Sequence, residues 1–263
     1  MLYRNKLIWI TGASSGIGEE LAIQFSQLKA KLVLSSRRQE ELIRVRDICR
    51  ISGENCMVLP LDIENHQQCA DAVKKVIGFF GRIDIMVHNA GISQRSLIID
   101  TYEEVNRKIM ETNFFGTIEL TRLILPFMIE NGGGHFVVIS SIVGKMGFPL
   151  RSAYSASKHA LHGYFETLRL EMKQKNIAVT MIIPGRIKTN ISLNAIVADG
   201  SRWDKLDEGQ INGMPVNIAC KQIISAINKK KKEKIVAREE KILLLLKRWW
   251  PHLSFMISSK FNS

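Results

Sequence analysis

A chain of 263 residues with 46% apolar side chains is long and apolar enough to bury one sizeable α/β core, which excludes a disordered protein. Four cysteines (Cys49, Cys56, Cys69 and Cys220) include no Cys-x-x-Cys pair and no zinc-like spacing with histidine, which excludes a disulfide scaffold and leaves no metal expected. The formal charge of +12 gathers late: residues 219–263 hold eleven Lys/Arg against three Glu, a balance that suits nucleic acid, anionic lipid or a solvated surface.

The first strand-like run, 7–10, starts almost at once. No room precedes it for a signal peptide, so a cytoplasmic protein with reduced, buried cysteines is expected. Thr11-Gly12-Ala13-Ser14-Ser15-Gly16-Ile17-Gly18 then separates that run from a helix over 17–28. Glycine here allows a tight turn and lets backbone approach a pyrophosphate, and the helix N-terminus offers N–H groups to the anion. The second strand, 32–35, runs into Ser36-Arg37-Arg38 and a helix over 39–52. NAD enzymes of the doubly wound fold carry Asp or Glu at this strand end to bond the ribose 2′-hydroxyl. Serine followed by two arginines suits a 2′-phosphate instead, which favours NADP(H) over NAD(H). Arg37 lies nearer the strand end; arginines that merely face water at a helix start are the competing reading.

The third strand, 57–59, leads through Asp62 and Ile63 to a helix over 66–80, for which Asp62 is a competing N-cap. The fourth, 83–87, ends in Asn89-Ala90-Gly91, and the next stretch, 93–97, is placed to line a pocket with Gln94. A helix over 102–130 contains Asn113. The fifth strand, 136–139, precedes Ser141, and 147–150, with Phe148, comes just ahead of a helix over 154–174. The sixth, 179–183, leads to Pro184-Gly185, Ile187 and Thr189. The glycine-containing segment 190–215, with Ile191, reads as a lid or as a plain surface excursion. A helix over 216–228 and a strand over 234–237 complete the alternation. Strands alternating with helices predict a single Rossmann-type α/β domain over 1–240: a doubly wound parallel sheet with helices on both faces.

The glycine turn, Asp62, Asn89-Ala90-Gly91, Asn113, Ser141, Tyr154-x-x-x-Lys158 and Pro184-Gly185 occur in the order found in the classical short-chain dehydrogenases/reductases, which the chain resembles over roughly residues 5–240. The resemblance implies a catalytic set of Asn113, Ser141, Tyr154 and Lys158. It also implies cofactor contacts from Gly12, Ser14, Ser15, Gly16, Ile17, Gly18, Arg37, Arg38, Asp62, Ile63, Asn89, Ala90 and Gly91, and from Tyr154, Lys158, Pro184, Gly185, Ile187 and Thr189. Asp62 corresponds to the residue that bonds the adenine amino group, and Asn113 to the one that holds a relay water beside Lys158. A homodimer or homotetramer follows by the same likeness.

The chemistry is legible from the residues themselves. Tyr154 and Lys158, four apart on a helix, share one face. A phenol of pKa about 10 exchanges protons poorly at neutral pH, and lowering it by about 3 units takes roughly 4 kcal/mol of differential stabilisation. A nearby ammonium and low dielectric are suited to supply it. Tyr154 would then pass a proton to the substrate oxygen, and Ser141 would donate to that oxygen. A catalytically silent nucleotide-binding or scaffold protein of the same fold is the alternative.

Substrate contacts are expected from Ser141, Gln94, Phe148, Tyr154 and Ile191, an apolar lining that favours a lipid-like or steroid-like carbonyl or alcohol. Beyond residue 240 the tail over 241–263 places Trp249 and Trp250 beside Lys247 and Arg248. It is too short and interrupted to span a bilayer but suits an interface-lying segment. Packing on its own domain or a partner subunit is the rival account. The tail is most similar to those of the membrane-associated and hydroxysteroid-dehydrogenase-like reductases. No aromatic platform or recognition helix supports nucleic-acid binding.

Overall fold

Strict alternation along β1 (Leu7–Thr11) sets the layers of the molecule. Leu7 and Trp9 point to one face of the sheet; Ile8 and Ile10 point to the other, and all are buried. The computed structural model of the protein describes residues 2–258. After β1 follow β2 (Lys31–Ser36), β3 (Cys56–Pro60), β4 (Ile85–His88), β5 (Gly134–Ile139), β6 (Ile177–Pro184) and β7 (Glu233–Val236). All pair in parallel in the order β3-β2-β1-β4-β5-β6-β7. The chain thus reverses its direction of travel across the sheet between β1 and β4, the switch point at which such sheets open a crevice.

Ile8, Ile10, Leu32 and Leu34 pack against α1 (Gly16–Gln27), α2 (Gln39–Cys49) and a helix late in the chain, through Phe25, Val45 and Ile223. Trp9, Val33, Phe136 and Val138 pack on the opposite side against α3 (His66–Phe80) and the helices that follow β4 and β5. The sheet is covered on both faces, as its continuous Val/Ile/Leu strands require. The four cysteines are free and buried.

The expected single helix over 102–130 is divided. α4 (Glu103–Met110) runs into a π-helical turn, Glu111–Phe115, before α5 (Gly116–Glu130). Apolar periodicity continues through the turn, so the sequence shows no break. α6 (Ser152–Glu171) carries Tyr154 and Lys158. The 190–215 segment contains the short α7 (Glu208–Ile211) and is followed by α8 (Val216–Asn228). It is fastened rather than loose: Ile196 N–H donates to Ser93 O at 3.0 Å, Arg95 N–H to Ile196 O at 2.8 Å, and Met214 N–H to Arg186 O at 2.8 Å.

The tail forms α9 (Glu240–Trp249) and α10 (Pro251–Ser258), and the remainder of the 241–263 segment lies outside the described residues. Leu243 is buried, and the Lys247 ammonium donates to Lys145 O, so one face packs on the domain. Ile242, Leu245, Trp249, Trp250 and Phe255 are exposed on the other. No described helix is long and apolar enough to cross a membrane.

Candidate active site

A cavity of about 750 Å³ opens above the C-terminal ends of β1, β2, β4 and β5, and the sequence motifs converge on it. The glycine turn forms one wall. Gly12 and Gly16 have φ of +63° and +60°, a region that side chains other than glycine rarely adopt. A Cβ on Gly12 would lie 2.9 Å from both Ala90 Cα and Asn89 Nδ2. The missing side chains leave the turn open to the cavity, together with Ser14, Ser15 and Ile17. This cradle, at the start of α1, fits a dinucleotide's pyrophosphate. Gly18 does not line the cavity. It sits behind the turn, where a Cβ would meet Asn89 Nδ2 at 2.6 Å, so its work is packing.

Asn89 ties this wall to the next. Its Nδ2 donates to Thr11 O at 3.0 Å and Gly12 O at 3.1 Å, while the N–H groups of Asn89 and Ala90 donate to Thr11 Oγ1. Gly91 continues the lining. At the end of β2, Arg37 and Arg38 face the cavity, and Arg38 Nη2 donates to Ser14 Oγ at 3.0 Å and Ser15 Oγ at 3.3 Å. Asp62 and Ile63 also line it. The competing cap reading of Asp62 does not hold: Asn65 caps α3, its Oδ1 accepting from Gln68 N–H at 3.0 Å. Pro184, Gly185, Ile187 and Thr189 close the far side, with the Thr189 methyl against Gly16.

Ser141, Tyr154 and Lys158 meet in the cavity. Burial pushes the Tyr154 phenol up, and it is opposed by a hydrogen bond with Ser141 and then by the charges of Arg95 and Arg151. Lys158, 4% exposed, lies with its Nζ 5.8 Å from the Tyr154 ring centroid and donates to Ile139 O at 2.9 Å. Burial lowers its pKa to about 8. Asn113 is fully buried and does not line the cavity. Its Oδ1 accepts from Ile92 N–H at 2.8 Å; its Nδ2 donates to Ile92 O and Ser157 Oγ, each at 3.0 Å. Asn113 and Lys158 come together beside Gly91: a Cβ there would be 3.0 Å from Asn113 Oδ1 and 3.5 Å from Lys158 Nζ. The π-helical turn that carries Asn113 is a feature often found at functional sites.

Phe148 and Ile191 line the cavity as expected. Gln94 does not. It is wholly buried, its Oε1 accepting from Ala153 N–H at 2.8 Å and Tyr154 N–H at 3.3 Å. Its Nε2 donates to the hydroxyls of Ser96, Thr101 and Ser152. Gln94 satisfies the N–H groups that the start of α6 leaves open, and so fixes Tyr154 from behind. His88 is a core residue bonded to Thr121 Oγ1 at 2.8 Å, and His162 contacts Ser140 Oγ at 3.0 Å; burial lowers each to about 3, which keeps both rings neutral.

Three residues were missed. The buried Arg95 and Asp207 and the partly buried Arg151 line the cavity as an ion cluster. The only sequence signal was Arg95 inside the pocket-facing stretch 93–97.

The model of the short chain dehydrogenase family matches residues 6–197. Mouse dehydrogenase/reductase SDR family member 7B is 43% identical over 230 residues, covering 86% of this chain and 71% of that protein. Human dehydrogenase/reductase SDR family member 7 is 47% identical over 198 residues, covering 73% of this chain and 58% of the human protein. A short chain dehydrogenase/reductase of Burkholderia phymatum, solved in complex with NAD, superposes with a TM-score of 0.84 at 20% identity, covering 100% of this chain and 98% of that one.

A buried lysine held toward neutrality costs stability. Lys158→Met is expected to raise the unfolding free energy of the protein without cofactor, by up to about 3 kcal/mol at pH 7. The folded pKa is depressed, so the penalty is full below about 8 and fades as pH rises toward 10.5, where the unfolded chain also loses its proton. Urea denaturation of both proteins from pH 7 to pH 10 tests this; a variant no more stable at pH 7 would refute it.

Proposed function

The chain belongs to the short-chain dehydrogenase family, and on that basis we propose that it is an NADP(H)-dependent oxidoreductase that interconverts a carbonyl and a secondary alcohol on a largely apolar substrate. The observation that carries the reading is the meeting of Ser141, Tyr154 and Lys158 in a cavity whose other end is the glycine cradle. The cradle, Asp62 and the Asn89–Gly91 strand end would hold the dinucleotide, which supplies the hydride. Ser141 donates to the substrate oxygen, and Tyr154 gives it a proton in reduction or takes one in oxidation. Lys158, its Nζ 5.8 Å from the Tyr154 ring centroid, would hold the nicotinamide ribose. Asn113 acts as a positioning residue, through Ile92 and Ser157.

Ser36, Arg37 and Arg38 support the choice of NADP(H): no carboxylate ends β2 to repel a 2′-phosphate, and both guanidiniums face the cavity. Phe148, Ile191, Ile196 and Val143 support an apolar substrate body. The outward face of α9 and α10 fits an anionic lipid surface. Trp249 and Trp250, 66% and 63% exposed, stand beside Lys247 and Arg248.

Tyr154→Phe is expected to abolish turnover while NADPH affinity, read by nicotinamide fluorescence, stays within about twofold. A variant retaining most of its activity in a scan of carbonyl substrates would remove Tyr154 from the proton transfer. Arg37→Ala is expected to weaken NADPH binding about tenfold or more, the value of one charge-assisted contact, and NADH binding much less. Equal losses would show that Arg37 does not read the 2′-phosphate. The intact protein should co-sediment with anionic vesicles at low salt and be released as salt rises, whereas Trp249→Ala/Trp250→Ala should stay in the supernatant. Wild-type protein that remains soluble at low salt would leave the tail purely structural.

A further inference from the structure

Next to Tyr154 the cavity wall holds two guanidiniums and one carboxylate. Arg95, with 2% of its side chain exposed, grips Asp207, itself 7% exposed, through both Nε and Nη2. Its remaining nitrogen donates to Ser93 Oγ at 2.9 Å and Gln94 O at 2.5 Å. Arg95 is therefore compensated in charge and in hydrogen bonds. Arg151, 15% exposed, reaches the same Asp207 oxygen only at 3.4 Å and otherwise donates to Pro149 O at 3.2 Å. Among the described residues no other carboxylate pairs with it.

A second, partly buried guanidinium that shares a carboxylate already held by the first is short of negative charge. Its pKa falls to about 10, first from burial and then from repulsion by Arg95, with Arg186 adding to it. Leaving a partly desolvated cation underpaired in this way is costly unless a ligand completes it. Arg151 also stands one helical step before Tyr154 and lines the cavity beside Phe148.

We propose that Arg151, backed by Arg95, forms a subsite for an anionic group of the substrate, a carboxylate or a phosphate ester carried near the reacting carbonyl, with the apolar remainder lying toward Phe148 and Ile191. The inference rests on the oxidoreductase reading and narrows it: the substrate is an amphiphile rather than a neutral lipid. Planar guanidinium is the side chain best matched to either anion. The same positive charge favours oxygen anion development on the carbonyl, so a bound anion and a forming alkoxide compete for it. Asp207 limits that conflict by holding Arg95 to itself.

The test uses the full chain and three probes with one alkyl length: decanol, decanoate and decyl phosphate. Binding is titrated calorimetrically with and without NADPH, so that the anion preference is read whatever the cofactor does, and nicotinamide fluorescence reports cofactor binding separately. Wild-type protein is expected to bind decanoate or decyl phosphate about tenfold or more tightly than decanol. The tighter of the two names the group. Arg151→Gln should lose this preference and keep its affinity for decanol, and Arg151→Lys should retain part of it. Adsorption of amphiphiles to the tail helices would be unchanged in both variants and is thereby separated. Equal binding of the three probes by wild-type protein, or an undiminished preference in Arg151→Gln, overturns the proposal. Absence of NADPH binding would instead overturn the reading beneath it.

Discussion

The closeness of the ends of β1 and β4 is the constraint from which the rest of the site follows. These strands sit side by side at the switch point, and the turn after β1 must pass directly over the one after β4. That passage is possible because Gly12 and Gly18 present no Cβ to Asn89 and Ala90. Asn89 then uses the gap, placing its amide between two carbonyls of the turn. The clamp turns the free N–H groups at the start of α1 toward the cavity. It also sets Gly91, where a further missing side chain leaves room for both Asn113 Oδ1 and Lys158 Nζ. A run of close approaches thus links the glycine turn to Lys158.

Much of this was legible in the sequence because the signals are local. Alternation in 7–10, the glycine turn and the four-residue step from Tyr154 to Lys158 each depend on neighbours along the chain. What was not legible depends on residues far away. Gln94 lies in a stretch placed against the pocket, and nothing local distinguishes a glutamine that meets substrate from one that caps a helix 59 residues later. The π-helical turn keeps the apolar period of the helices on either side, so its widening does not show. Arg95 and Arg151 look like surface arginines until Asp207, 112 residues from Arg95, supplies the carboxylate that lets Arg95 be buried and Arg151 partly so.

Tyr154 and Lys158 share one buried environment. Burial raises the phenol and lowers the ammonium, so the dry environment opposes both charges that proton transfer needs. The opposing influences come from Ser141 and from the two arginines, where the spacing alone had pointed to Lys158. Because Asp207 belongs to the 190–215 segment, the field at Tyr154 depends on that segment being seated. A site built this way gains its strongest electrostatics only when water is excluded, and the seating of the segment excludes it.

The tail extends this logic to the protein surface. Leu243 and Glu240 both reach the cavity, so α9 is part of its wall rather than an appendage. Glu240 is fixed by the N–H groups of Arg186, at 2.8 Å, and Arg238, at 3.1 Å, which places the start of α9 beside the strand end that carries Gly185. The opposite face of the same helix carries the exposed Ile242, Leu245 and Trp249. One helix therefore has an inner face on the cavity and an outer face of exposed apolar side chains. An amphiphilic substrate would meet its two preferences in sequence along it: apolar surface outside, where lipid chains collect, and a guanidinium inside, where the headgroup must shed its water.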